Sequence, residues 1–398
     1  MLTVREARDA ILGAVPRLGT ESTATNSATG RVLRQSVVAE RDQPPFDRVM
    51  MDGIAIAFSE FDAGARRFPM QATQAAGDER HTLSPGNCIE IMTGAALPQG
   101  ADCIVPVERI SVADNAVTIE EGYVAEARQF IHPQGSDHMA GSTLLSPGKR
   151  ITPMDVAVIN SCGLTEVEVS STPRIRVIST GNELVPAGKP IESHQVRLSN
   201  GPAVIAMLQQ YGYTDCQHDH LPDDLELLEQ RIGEHLAAAD VLILSGGVSM
   251  GKADYVPEVL KNLGVDVVFH KISQRPGKPM WFGMGPNGQA VFALPGNPVS
   301  TLVCCRQYVI PTLDRASGAP EPAPEFAALA QDVTFKPQLT CFLPVRLVSG
   351  TGGQLLAVPV HTNTSGDFAS LSVTDGCVEL PLAESSFPAG TALPLHRW

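Results

Sequence analysis

Residues 240–251 read DVLILSGGVSMG, in which an unbroken apolar run, Val241 to Leu244, opens onto Ser245-Gly246-Gly247-Val248-Ser249-Met250-Gly251. A run this short and apolar reads as a strand buried on both faces, and the glycines after it read as a strand-to-helix loop. Outward from it, RIRVIST (174–180), VDVVFHKIS (265–273), MWFGMG (280–285) and AVFALPG (290–296) read as further strands. Helical patterns fall between them. GPAVIAMLQQYG (201–212) has Pro202 near its start and Gly212 at its end, and DDLELLEQRIGEHLAAA (223–239) is capped by Asp223 with Glu226. DYVPEVLKNLG (254–264) is a third helix, and NPVSTLVCCRQYVIPTLDRASG (297–318) closes the unit. Strands alternating with helices predict a doubly wound, mostly parallel sheet over 173–318, with ligands at the C-terminal ends of its strands.

The flanks have other periods. Thr3 and Glu6 form a capping box before Val4, Ala7, Ile11, Leu12 and Val15, which share one helical face. A second helix starts at Thr152-Pro153 and ends near Gly163. Its position predicts that it packs on the first, giving a split helical domain of 1–45 and 141–172. Between them, 46–140 is β-rich, with short runs such as IAIAF (54–58) and CIEIM (88–92) and a hairpin turn at Asp114-Asn115. After the Pro-rich linker 319–324, FLPVRLV and QLLAVPV flank SGTGG, and LSVT and CVELP flank Asp375-Gly376. These predict a small β-barrel over 325–398.

Composition narrows the function. A net charge of −14 argues against a nucleic-acid or anionic-membrane binder, since both need a basic face. The 35 glycines and 31 prolines among 398 residues exceed the usual combined share of roughly 12% and predict many turns. Arg5, Glu6, Arg8 and Asp9 interrupt what would have to be the apolar core of a signal peptide, and no run has the length of a membrane span. The expected location is the cytoplasm. Eight cysteines without a Cys-x-x-Cys pair predict reduced, buried thiols rather than a zinc or disulfide framework.

The chemistry concentrates in three glycine loops: 245–251, Ser179-Thr180-Gly181-Asn182-Glu183, and Leu294-Pro295-Gly296-Asn297-Pro298-Val299-Ser300. Glycine lets backbone N–H groups converge and serine adds hydroxyl donors, which together make an anion nest; a lone loop of this kind is as readily a tight turn. The first loop lacks the Gly-Lys-Ser/Thr ending of a P-loop. All three leave strand ends of one sheet, which favours a shared phosphate-binding rim, with the helix after Pro298 adding its free N–H groups. Glu183, Asp254 and Asp224 accompany the loops, and carboxylates beside phosphates suit Mg²⁺. Asp223 reads as the helix cap, leaving Asp224 to face the site. Lys252, Lys261, Lys271, Arg275 and Lys278 outnumber Asp254, Glu258 and Asp266. Within that stretch, the stiff turn Arg275-Pro276-Gly277-Lys278-Pro279 would clamp an oxyanion or simply be a solvated turn.

Together these motifs resemble the molybdopterin molybdenumtransferase family, MoeA in bacteria and the E domain of gephyrin in animals. The resemblance is carried, in the family's order, by Pro44-Pro45-Phe46-Asp47, Met51-Asp52-Gly53, Ile91-Met92-Thr93-Gly94-Ala95, the 179–184 and 245–249 loops, Ala253-Asp254-Tyr255, Pro276-Gly277-Lys278-Pro279 and the 294–300 loop. It implies a four-part subunit in an elongated homodimer that takes adenylylated molybdopterin and molybdate and releases AMP with Mg²⁺ assistance. By the same resemblance the active site lies between the α/β domain of one subunit and the β-rich module of its partner. Thr180, Gly181, Ser245, Gly246, Gly247, Ser249, Gly251, Pro295, Gly296, Asn297, Pro298 and Ser300 would hold pterin and nucleotide. Glu183, Asp224 and Asp254 would place the metal, Arg275 and Lys278 the molybdate, and Asp52, Thr93 and Asp137 would complete the site.

Two positions depart from the family pattern: Lys252 stands where many relatives carry Glu, and Ile54 where an aromatic residue often follows Met-Asp-Gly. The implied partners are the molybdopterin adenylyltransferase and other cofactor-pathway proteins. Two other readings of the fold are a receptor-docking scaffold and a molybdopterin adenylyltransferase-like protein. The absence of a linker or partner domain beyond the four regions favours the enzyme over the scaffold, and the Pro-Pro-Phe-Asp and Met-Asp-Gly module favours metal insertion over adenylylation.

Overall fold

The computed structural model describes residues 1–247, 255–364 and 366–398. The chain forms two compact units, one of residues 1–34, 147–152 and 167–398 and one of residues 35–146 and 153–166.

The larger unit is built on a six-stranded sheet in the order Cys216–Leu221, Ile175–Thr180, Val241–Ser245, Ala290–Leu294, Trp281–Met284, Asp266–His270. The first four strands run parallel, and Trp281–Met284 alone is reversed, pairing antiparallel with both of its neighbours. Alternation along the central strands feeds both faces. Ile175, Val177, Val241, Ile243 and Phe292 join one apolar cluster, while Ile178, Leu242, Leu244 and Val291 join the other. Phe269, Phe282 and Phe292 stand opposite one another across three strands, with centroids 5.9 and 5.0 Å apart. Each buried ring contributes about 2–3 kcal/mol of transfer free energy. The helices Asn200–Gln210 and Pro298–Cys304 bury Val204, Leu208, Val299 and Val303 on the first face; Leu225–Ala238 and Val256–Asn262 bury Leu228, Ile232 and Val259 on the second. The closing helix widens to a π-turn at Cys305–Val309 and resumes at Ile310–Ser317.

The edge strand Cys216–Leu221 carries Gln217, His218, Asp219 and His220 and so lacks the apolar run that marks its neighbours in the sequence. The first helix, Val4–Ala14, has its capping box, Thr3 N–H donating to Glu6 Oε2 at 2.8 Å and Glu6 N–H to Thr3 Oγ1 at 3.2 Å. Val4, Ala7 and Ile11 enter the core of the α/β sheet, which covers the helix's apolar face.

In the tail, Thr340–Ser349, Leu355–Pro359, Glu325–Leu329, Ala392–Arg397 and Gly376–Leu380 close into a five-stranded barrel, since the last pairs back with the first. The expected hairpin at Asp375-Gly376 does not form: residues 371–374 end the short helix Phe368–Leu371. Asp375 is spent on the neighbouring strand instead, its N–H donating to Val345 O at 2.9 Å and its carboxylate accepting from Leu347 N at 2.7 Å.

The smaller unit holds a six-stranded sheet in the order Cys103–Pro106, Gly53–Ile56, Cys88–Ile91, Arg67–Gln74, Ala116–Ile119, Ile110–Ala113. Asp114 and Asn115, with φ of 54° and 55°, make the expected turn between its last two strands. Ile54, where the family often has an aromatic residue, is fully buried beside Ile56, Phe61 and Phe68. All eight cysteines are free thiols and none is exposed; burial pushes Cys88 and Cys103 up to about 11.

Candidate active site

Strand register brings the three glycine loops to one level. Ser179 stands opposite Ser245, and Ser245 opposite Leu294, so the chain leaves all three strands side by side. The loops then touch: a Cβ at Gly296 would lie 3.5 Å from Gly246 Cα, and one at Gly246 would lie 2.6 Å from Thr180 O and 2.9 Å from Thr180 Oγ1. Gly246 and Gly247 have φ of 103° and 64°, so both the contact and the backbone exclude a side chain. Thr180 Oγ1 is buried against these glycines with no hydrogen-bond partner among the described residues. An orphaned buried hydroxyl costs about 1–3 kcal/mol, a penalty that a ligand bound at the rim would remove. Ser249, Gly251 and Asp254, with Lys252, lie outside the described residues.

Residues unmarked in the sequence hold the rim in place. Asn200 Nδ2 donates to Ser245 Oγ at 2.9 Å and to Gly296 O at 2.8 Å, tying two loops together. Ser179 Oγ pairs with His218 Nε2 at 3.0 Å, and His220 Nε2 donates to Gly181 O at 2.9 Å. Burial holds His218 below the ordinary imidazole value, which favours its neutral form. Thr301 Oγ1, from the helix that starts at Pro298, donates to Pro295 O at 2.5 Å, and Ser300 is buried in that helix's first turn. The one signal for Asn200 is its place before Gly201-Pro202 at a helix start, which without the sheet order reads as an ordinary cap.

The acids are arranged differently from the expectation. Asp224, not Asp223, caps the helix Leu225–Ala238, its Oδ1 accepting from Leu227 N at 2.9 Å. Asp223 turns onto the first glycine loop, where its N–H donates to Asn182 Oδ1 at 3.1 Å and its Oδ2 accepts from Asn182 N at 3.4 Å. The fold lets the second of two adjacent acids begin the helix, so the first belongs to the loop. Glu183 folds back over Gly181, its oxygens 2.7 and 2.8 Å from where a Cβ would stand. Among the described residues no group of three or more His, Cys, Asp or Glu forms a self-sufficient metal cage.

Arg275 and Lys278 are exposed on a turn that buried Gln274 secures. Gln274 Nε2 donates to Pro276 O at 2.9 Å and Gln274 Oε1 accepts from Tyr308 OH. Gln274 and Arg275 pair in parallel with Thr340 and Cys341, which fixes the turn to the barrel.

In the smaller unit, Asp52 and Thr93 meet. Asp52 Oδ1 accepts from Thr93 N at 2.6 Å and from Thr93 Oγ1 at 2.7 Å, which holds its carboxyl below the usual carboxylate range. Gly53 follows because a Cβ there would overlap the Val105 carbonyl of the adjacent strand. Asp137 Oδ1 lies 3.0 Å from His132 Nε2, and His132 Nδ1 lies 3.1 Å from an Arg48 guanidinium nitrogen.

A doubly wound sheet with three glycine loops at one rim, followed by a closed barrel, defines a multidomain α/β protein of the molybdopterin-binding type. The profile described as a probable molybdopterin binding domain matches residues 176–315. The MoeA N-terminal region (domain I and II) matches residues 2–163, and the MoeA C-terminal region (domain IV) matches residues 327–398. The molybdopterin molybdenumtransferase of Synechocystis sp. is 40% identical over 400 residues, with 100% of both chains covered. That of Synechococcus elongatus is 35% identical over 376 residues, covering 92% of this chain and 91% of the other. The crystal structure of a molybdopterin biosynthesis MoeA protein from Pyrococcus horikosii superposes with a TM-score of 0.83 at 28% identity, covering 100% of this chain and 99% of that one. The chain belongs to the MoeA family of molybdopterin molybdenumtransferases.

Proposed function

We propose that this chain inserts molybdenum from molybdate into adenylylated molybdopterin and releases AMP. Its family makes it a transferase of molybdenum cofactor biosynthesis. The observation that carries the reading is the rim itself, where the Gly296 and Gly246 backbones touch and Gly246 and Gly247 press on the buried Thr180 hydroxyl, which has no hydrogen-bond partner among the described residues.

In this reading the N–H groups of 245–247 and 296–297, with those in the first turn of the helix that begins at Pro298, bind the pterin and nucleotide phosphates, and Thr180 Oγ1 donates to one of their oxygens. Asn200 keeps the two loops at the spacing the ligand needs. Arg275 and Lys278, held out on their stiff turn, collect molybdate. Asp52, Thr93 and Asp137 complete the site from a second copy of the chain in a homodimer. Carboxylate oxygens are hard donors that suit Mg²⁺, which needs only one or two of them besides phosphate and water. Glu183, with Asp254 and with Asp223 or Asp224 from the next loop, would hold it. When bound, Mg²⁺ supplies neutralisation of the pyrophosphate charge. No described helix is long and apolar enough to cross a membrane, and we assign the protein to the cytoplasm.

The basic turn supplies a test. Arg275→Ala with Lys278→Ala should raise the molybdate concentration for half-maximal AMP release about tenfold or more while nucleotide binding persists. An unaltered molybdate response would remove both residues from that role.

A further inference from the structure

As a proposed participant in the reaction, Asp137 needs a fixed orientation. The cross-strand register of the smaller unit supplies one. Ile131 stands opposite Val49 and His132 opposite Arg48 in an antiparallel pair. Ile131 and Val49 are buried in the same apolar cluster, so by strand alternation His132 and Arg48 project together on the other face. The chain then turns back through Pro133 to Ser136, with Ser136 Oγ donating to Pro133 O at 2.8 Å and Gly135 N to Pro44 O at 2.9 Å. Asp137 N donates to Gln43 O at 2.9 Å, which brings the Asp137 carboxylate to the Nε2 edge of the His132 ring.

The chemistry of the three side chains settles where the proton sits. A guanidinium has only donors, so the His132 Nδ1 facing Arg48 must be the unprotonated acceptor. Nε2 then carries the ring's proton and donates it to Asp137 Oδ1. We propose that His132 is a positioning residue for Asp137: a neutral imidazole, protonated on Nε2 and oriented by Arg48, that fixes the carboxylate for the reaction. The Asp137 side chain is 51% exposed and that of His132 25%, so the acid is open to a ligand while the ring that holds it stays sheltered. The inference rests on the assignment of Asp137 to the reaction.

Two readouts test it on the full-length protein. With ¹⁵N-labelled histidine, the His132 signals, assigned by their loss in His132→Gln, should show Nε2–H and an unprotonated Nδ1, and Arg48→Ala should mix the tautomers. In AMP-release assays His132→Phe should lower kcat about tenfold or more with the nucleotide half-saturation unchanged, because the ring's shape survives and its hydrogen bonds do not. His132→Gln should restore most of that loss, since its amide both donates and accepts. An Nδ1–H tautomer, a wild-type kcat for His132→Phe, or a Gln variant as slow as Phe would overturn the proposal. Asp137→Asn separates the two ideas. A slow Asn variant beside a normal His132→Phe sinks only the positioning role, whereas a fully active Asn variant removes Asp137 from the reaction and this role with it.

Discussion

The glycine-loop rim of the larger unit and the acid pairs of the smaller one are built on opposite principles. At the rim the groups proposed to bind ligand are backbone N–H groups and the buried Thr180 hydroxyl, and Gly246 and Gly247 press on Thr180 with no room for a side chain. In the smaller unit the proposed groups are side chains: Asp52 on Thr93, and Asp137 on His132. A backbone site depends on space and fails when a methyl group is added. A side-chain site depends on hydrogen bonds and changes its titration or rate while the fold persists. The lesson is that two halves of one proposed reaction should break in different ways.

The largest effect is expected at the rim. Gly246→Ala sets a Cβ 2.6 Å from Thr180 O at a φ of 103°. It should lower stability by about 3 kcal/mol and abolish turnover, read as a shift of the denaturation midpoint. A variant as stable as the parent would show that the loops are not packed as described. Next, Asn200→Ala removes both bonds between the Ser245 and Gly296 loops and should raise the nucleotide half-saturation about tenfold, with a modest fall in melting temperature. Nucleotide binding that is indifferent to Asn200 would leave the two loops independent.

Thr93→Val should have the smallest effect, and only toward acid pH. The two Thr93 bonds depress the Asp52 pKa in the folded protein, so their contribution is present above the ordinary carboxylate value and lost as pH falls through the lowered one. Without the hydroxyl, Asp52 should titrate nearer the ordinary value and the acid limb of activity should move to higher pH. Carboxyl NMR of Asp52 reads this directly, and an unmoved titration would mean that the hydroxyl bond does not set it.

The same contrast explains what could be read in the sequence. Apolar runs and the glycines after them marked the central sheet, its order of elements and the loops, because burial on both faces and positive φ leave a residue-type signature. The edge strand Cys216–Leu221 left none, since His218 and His220 bond to the first glycine loop and Asp219 pairs with Arg231 and His235 instead of forming an apolar run. Pattern made Asp223 the cap and Asp224 the site residue, whereas the helix starts one residue later and Asp224 caps it. Asp52, Thr93 and Asp137 came from family resemblance, and His132 was not singled out at all. Their meeting is a matter of strand register across dozens of residues, and residue type alone does not encode register.

The central claim is most directly tested with purified full-length protein given adenylylated molybdopterin and molybdate, with AMP and cofactor-bound molybdenum measured together. The account predicts that the two products rise in step, that neither forms without molybdate, and that Glu183→Gln slows both while the protein stays folded. AMP that accumulates equally without molybdate, or a Glu183→Gln variant with the parent's rate, would contradict it.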